Sequence, residues 1–133
     1  MQSTENLLHW TPNLKYSSDH ASRAQKNMKD TMTELERKFH EDMLSIYDVS
    51  QKLGYRPRHL LSIVFEKGGR QAAKQLIQSS QPTEGFLKLW KLNRLDISVE
   101  AKVLLPEYQD LFTEEERQIC KKRLDEYGYP KQQ

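Results

Sequence analysis

The chain has 133 residues, of which 36% are apolar and 30% charged, and its formal net charge is only +2. This length argues for one domain, and the low apolar fraction indicates that only part of the chain packs into a core. No run approaches the ~20 apolar residues of a membrane-spanning helix, and we find no secretory signal at the N-terminus. The single cysteine, Cys120, excludes an internal disulfide. These features together predict a cytoplasmic protein.

The charges are distributed unevenly along the chain. Residues 52–94 hold nine Lys/Arg against two Glu, a balance of +7, whereas residues 1–51 and 95–133 carry −2 and −3. A basic centre between acidic flanks predicts contact with an anionic partner. The candidate contact residues are Arg56, Arg58, Lys67, Arg70, Lys74, Lys88, Lys91 and Arg94. If these side chains are exposed, reversing the charge of Arg70 and Lys74 should leave the stability of the fold unchanged.

The N-terminal residues have a different character. Residues 1–18 show no helical period and contain a Thr-Pro break, with apolar side chains at Leu7, Leu8 and Trp10. We expect a flexible or partner-bound arm whose apolar side chains contact another protein or a second copy of the chain. A weak helical pattern begins at residue 19, and the sequence leaves open whether it extends the next helix into one long N-terminal helix.

Local start and stop signals divide the remainder of the chain into helices. Thr33 with Glu36, and Thr113 with Glu116, have the spacing of capping boxes, and Gly128 is a natural helix end. Together with the apolar periodicity, these signals predict an all-α fold, a compact bundle of five to six short helices. The expected organisation is an arm over residues 1–32, a helical domain over 33–128 and a tail over 129–133.

The stretch TEGFLKLWKLNRLDISVEAKVLL is the densest apolar run in the sequence. Thr83 suits an N-cap, and Asn93 suits the left-handed residue that ends a helix. A second, shorter helix follows, capped by Asp96 or Ser98. Because Trp90 lies at helical spacing among apolar residues, we expect its ring in the core; stacking on a nucleic acid base is the alternative.

Seven short motifs resemble an uncharacterised bacterial family of small helical proteins and modules. They are FHEDMLSIYD, GYRPRHLL, GGRQAAKQLI, EGFLKLW, RLDISVE, LFTEEE and the closing YGY, and they span roughly two thirds of the chain. The resemblance implies a helical domain and supplies no activity, cofactor or catalytic residue. Asn93 stands where the family pattern has glycine before RLD, a change that the same backbone shape would accept.

The helix–Gly-Gly–helix unit between Pro57 and Ser79 invites comparison with a helix-turn-helix DNA reader. Arg70 and Lys74 on its second helix favour that comparison. However, the motif needs a buried apolar side chain at a fixed position after its turn glycine. That position is Lys74 if Gly68 makes the turn and Gln75 if Gly69 makes it. A solvated basic face therefore remains the more economical interpretation of this unit.

The sequence shows no recognisable catalytic centre. Cys120 shares a helical face with Ile119 and Leu124, which is typical of a buried structural thiol. Residues 40–42, His-Glu-Asp, are adjacent and so point to different sides of a helix, unlike metal ligands four residues apart. The sequence therefore predicts a non-enzymatic binding or adaptor protein, without cofactor or metal, that acts through protein–protein contacts. The alternative is a DNA- or RNA-binding protein that uses the basic surface of residues 52–94.

Overall fold

The computed structural model describes residues 32–130, and within that range all regular structure is helical. The predicted all-α class is confirmed. The α-helices are α1 (Glu34–Lys52), α2 (Arg58–Lys67), α3 (Gly69–Ile77), α4 (Glu84–Lys91), α5 (Val99–Val103) and α6 (Glu114–Glu126). Two 3₁₀ helices, Leu95–Ile97 and Pro106–Leu111, flank α5. The predicted arm contacts Leu7, Leu8 and Trp10, and the helical pattern from residue 19, lie outside the described residues. No helix in the described range is long and apolar enough to cross a membrane.

The helix starts follow from side-chain capping. The hydroxyls of Thr33 and Thr113 each accept the amide proton of the glutamate three residues later, at 3.1 Å. Glu36 and Glu116 in turn accept the threonine amides at 3.0 and 2.8 Å, so both predicted capping boxes are present. Thr83 starts α4 by accepting the amide of the third helical residue at 3.1 Å. Short-range sequence spacing is therefore sufficient to place these three helices.

Several helices end at a residue with a positive φ, among them α1 and α4. Asn93 has a φ of 61° after α4, and its amide donates to the carbonyl of Trp90 at 2.9 Å. Asparagine tolerates this conformation, so the predicted stop at Asn93 is confirmed. Gly54, with a φ of 90°, makes the corresponding turn after α1. This turn directs the chain back along α1 and places α2 against it.

Helix α3 approaches α1 more closely than a side chain at position 69 would permit. A Cβ atom on Gly69 would lie 2.6 Å from Cα of His40. The amide of Gly69 also donates to Nδ1 of the fully buried His40 at 2.9 Å. Ala72 and Ala73 continue the small face of α3 and are completely buried. The glycine and the alanines thus allow α3 to lie directly on α1.

Two apolar clusters hold the helices together. The first joins α1, α2, α3, α5 and α6 around Phe39. The ring of Phe39 packs edge-on against Tyr108 at 4.9 Å and Phe112 at 5.1 Å between centroids. Tyr108 and Phe112 fill the core from the segment after α5. The second cluster joins α4 and α6 through Phe86, Leu89, Leu95, Ile97 and Leu124. The candidate site lies where α4 meets the first cluster.

The prediction that Trp90 lies in the core is wrong. Its side chain is 44% exposed, whereas Phe86 and Leu89 form the buried face of α4. Successive helical residues are rotated by about 100°, so the residue after Leu89 leaves the buried stripe. Trp90 instead packs edge-on against Tyr127 of α6, with 5.2 Å between ring centroids. The apolar pattern of α4 is therefore wider than the face that it buries.

Candidate functional site

A cavity of about 360 Å³ opens beside the first turns of α2 and α4. We call it the cleft, and its wall includes buried apolar side chains from α1, α2 and α4: Ile46, Leu60, Phe86 and Leu89. Its rim carries exposed polar side chains from the starts of α2 and α4: Arg56, Arg58, His59 and Glu84. The cleft is consequently an apolar pocket with a charged entrance.

The wall of the cleft includes one member of a buried ion pair, Glu100. Glu100, which lines the cavity, accepts a hydrogen bond from Nη1 of Arg123 at 2.9 Å, and both side chains are less than a tenth exposed. Nη2 of Arg123 donates to the carbonyl of Ser79 at 2.7 Å. Burial raises the pKa of Glu100, and the bond from Arg123 opposes this shift. This pair neutralises the carboxylate that lines the cavity.

Tyr55 lines the cleft and also lies next to Lys88 on the exposed side of α4. Its hydroxyl lies beside α4, since a Cβ on Gly85 would be only 3.2 Å from that oxygen. The ammonium group of Lys88 lies 5.9 Å from the centre of the tyrosine ring. Burial, followed by the charge of Glu84, raises the pKa of Tyr55. Tyr55 therefore has a cationic and an anionic neighbour at the entrance.

The exposed side of α4 combines apolar and cationic groups. We call it the α4 surface and define it by Lys88, Trp90, Lys91 and Leu92, all of which are exposed. Over residues 32–130, the exposed large apolar side chains are Leu53, Trp90 and Leu92. Tyr127 supports the ring of Trp90 and itself packs edge-on against the buried Phe86 at 5.2 Å. Although exposed, Trp90 is thus held in position by the core.

The predicted basic patch is divided into paired and unpaired cations. Arg70 pairs with Glu36, Lys74 with Glu116 at 2.8 Å, and Arg94 with Asp96 at 2.9 Å. The other five have no ion-pair partner in the described part of the chain: Arg56, Arg58, Lys67, Lys88 and Lys91. Two of these lie at the cleft rim, two on the α4 surface and Lys67 at the end of α2.

Arg70 and Lys74 have a structural role that sequence reasoning missed. They stand one turn apart on α3, and each binds the glutamate of a different capping box. Arg70 also donates to the carbonyl of Leu111 at 2.9 Å. The backbone hydrogen bond from Thr33, with Arg70 adding to it, lowers the pKa of Glu36. These two cations therefore connect α3 to the starts of α1 and α6.

The predicted burial of Cys120 is confirmed. The residue is fully buried, and burial is the main cause that raises the pKa of its thiol to about 12. The sulfur thus stays protonated at neutral pH and unavailable as a nucleophile in the folded chain. Among residues 32–130, no three His, Cys, Asp or Glu side chains are grouped to hold a metal ion.

The cleft was not predicted from the sequence. Its walls come from five separate stretches between Ile46 and Glu100, and no short motif indicates that they meet. The ion pair of Glu100 with Arg123, 23 residues apart, was missed for the same reason. By contrast, the partner of Asp96 is Arg94, only two residues away in the chain.

Comparisons with known proteins return no similarity for this chain. No protein-family model matches it, and no curated protein or solved structure is significantly similar to it. The function therefore has to be argued from the cleft, the α4 surface and the distribution of charge.

Proposed function

We propose that this protein is a non-catalytic binding module that contacts another protein through the α4 surface. The observation that carries the proposal is the exposed Trp90 ring, which Tyr127 holds against the domain. Tryptophan is among the residue types that most often dominate the energy of protein interfaces. An aromatic anchor held in place before binding also loses little conformational entropy when the complex forms.

Charge complementarity defines the kind of partner. Residues 85–95 contain Lys88, Lys91 and Arg94 and no acidic residue, although Arg94 is paired with Asp96. A partner that receives Trp90 in an apolar pocket would therefore present Asp or Glu side chains around it. The arm residues Leu7, Leu8 and Trp10 remain predicted additional contacts, either with the same partner or with a second copy of the chain.

Two observations support a non-catalytic role. The single thiol is buried and protonated, and the buried carboxylate at the cleft is already paired with Arg123. Catalysis by either group would require it to be available to a substrate in the reactive protonation state. Membership of the uncharacterised bacterial family, which implies no activity, also remains a prediction.

Site-specific photo-crosslinking tests the proposal. A photoreactive phenylalanine analogue replaces Trp90 in one version of the full chain and Lys122, exposed on α6, in the other. After irradiation in a lysate of the source organism, we expect a discrete protein adduct from position 90 that is absent from position 122. Equal adducts at both positions, or none at either, would contradict a specific contact at the α4 surface.

Nucleic acid binding is the second candidate, favoured by the five cations that have no ion-pair partner among residues 32–130. A gel-shift assay with mixed DNA and RNA at about 50 and 200 mM salt tests it, since phosphate-dominated binding weakens by orders of magnitude over that range. If the protein binds, replacing Lys88 and Lys91 by glutamine should lower the salt dependence by roughly one unit for each lost phosphate contact. Absence of a shift at the lower salt concentration would eliminate this candidate.

A further inference from the structure

We infer that the cleft binds a small carboxylic acid with a hydrocarbon or aromatic body. This site is separate from the α4 surface and does not depend on the protein-binding role proposed above. The cleft has the size of a small-molecule pocket and an apolar wall. Two arginines at its entrance have no acidic partner in the described part of the chain.

The dimensions of the cleft fit a small molecule. Its volume of about 360 Å³ lies at the lower end of the roughly 300–1,000 Å³ range of ligand pockets. Buried side chains at Ile46, Leu60, Phe86 and Leu89 supply an apolar wall from three helices. A hydrocarbon chain or single aromatic ring placed there would remove apolar surface from water on both molecules, which favours binding.

The charges around the cleft favour an anion over a cation. The buried Glu100 carboxylate is neutralised by Arg123 at 2.9 Å and therefore adds little net negative charge. The rim carries Arg56 and Arg58 against the single carboxylate of Glu84. Guanidinium groups bind carboxylates with two parallel hydrogen bonds, which makes arginine the suitable partner for an acid head group. A ligand whose apolar body occupies the cavity would place its carboxylate near these arginines.

A set of probes that share one hydrocarbon chain separates the effect of charge from that of apolar burial. Octanoate, octylammonium and octanol are titrated, below the concentration at which they form micelles, into the isotopically labelled full chain. We expect octanoate to shift the backbone amide signals of Tyr55, Leu60, Phe86 and Val99 in a saturable manner. Octylammonium should bind at least about fivefold more weakly, because the rim arginines repel it.

Variants locate the head group. Replacing both Arg56 and Arg58 by glutamine should weaken octanoate binding by roughly tenfold. Each exposed ion pair between an arginine and the carboxylate is expected to contribute about threefold, and the two effects multiply. The melting temperature should not change, because both side chains are exposed and take no part in the ion pairs of residues 32–130. Lys67→Gln, another exposed cation on α2, serves as the matched control and should leave the affinity unchanged.

Each other result would overturn the inference. Tighter or equal binding of octylammonium would show that the cleft prefers a cation or does not discriminate. Signal shifts confined to the α4 surface, or no saturable shifts with octanoate, would show that the cleft is not the acid site. Unchanged octanoate affinity in the double variant would remove the arginines from the proposal.

Discussion

At the scale of single residues, the contact between Gly69 and His40 determines how closely α3 lies on α1. A Cβ at position 69 would lie 2.6 Å from a backbone atom, and a backbone atom cannot move aside as a flexible side-chain tip can. The amide of Gly69 also satisfies Nδ1 of a fully buried histidine. Glycine is therefore required at this position for reasons of space.

Gly69→Ala should lower the free energy of unfolding by about 1–3 kcal/mol, because overpacking displaces α3 from α1. Alanine would favour the helix by only ~1 kcal/mol relative to glycine, so the steric effect should dominate. Gln71→Ala, an exposed change on the same helix, provides the control and should be near neutral. Urea unfolding measures both variants, and equal stability of Gly69→Ala and the wild type would contradict the close approach.

The Glu100–Arg123 pair gives a second prediction at this scale. Arg123→Met should lower stability by about 3–5 kcal/mol at neutral pH, because it leaves a buried carboxylate without its partner. Lys121→Met on the same helix breaks only an exposed pair with Asp125 and should cost less than ~0.5 kcal/mol.

The loss caused by Arg123→Met should depend on pH in a defined direction. The pKa of Glu100 in the folded wild type lies above its ordinary value of 4.5, and removal of Arg123 would raise it further. The folded variant therefore holds Glu100 preferentially in the protonated form. The stability of the variant falls as the pH rises through the raised pKa of Glu100, because the carboxyl must then ionise without a partner. Unfolding measured at about pH 5 should show a smaller deficit than at neutral pH. An equal deficit at both values would contradict a buried Glu100 whose charge Arg123 offsets.

Residue-scale features could be predicted where they depend on near neighbours in the chain. Thr33, Thr83 and Thr113 cap helices as predicted, since the partner of each hydroxyl is three residues away. Trp90 could not be placed correctly, because apolar spacing defines a face of α4 without showing how much of it another helix covers. Burial depends on the tertiary arrangement, which local patterns do not contain.

At the scale of elements, α3 connects the starts of two other helices. Arg70 and Lys74 bind the capping-box glutamates of α1 and α6, and Lys74 also lies 5.4 Å from the centre of the Phe112 ring. The expectation of unchanged stability assumed exposed side chains, and these two are partly buried and paired. The sequence places both cations on one helix but cannot show that acidic partners lie 34 and 42 residues away.

Lys74→Glu should lower the free energy of unfolding by about 1–3 kcal/mol, because it places two carboxylates together in a partly buried position. Lys67→Glu, the matched reversal of an exposed cation that forms no ion pair within the described residues, should change stability by less than ~0.5 kcal/mol. Thermal unfolding of both variants measures the difference. If the two reversals have equal effects, the connection between α3 and α6 contributes nothing to stability.

At the scale of the whole molecule, the described domain presents two distinct surfaces. The all-α class follows from helical periodicity and capping, and it could be predicted from the sequence. The cleft could not be predicted, because it forms only when the starts of α2, α4 and α5 come together around Ile46. Binding surfaces of this kind depend on which helix faces remain uncovered after packing.

The most direct test of the protein-binding role measures stability and affinity on one variant, Trp90→Ala. Because the ring is 44% exposed, the change should cost only about 1 kcal/mol, close to the value of its aromatic contact with Tyr127. Phe86→Ala, a buried aromatic on the same helix, should cost about 3–5 kcal/mol and serves as the control for lost packing.

The partner recovered by crosslinking at position 90 is then purified, and its affinity for the full chain is measured by calorimetry. We expect Trp90→Ala to lower the melting temperature by only about 4–8 °C, as a cost of about 1 kcal/mol implies. Its Kd should rise at least about 30-fold, as expected for an interface anchor contributing roughly 2 kcal/mol or more. A Kd equal to that of the wild type, with the fold intact, would contradict the proposal that the α4 surface binds the partner.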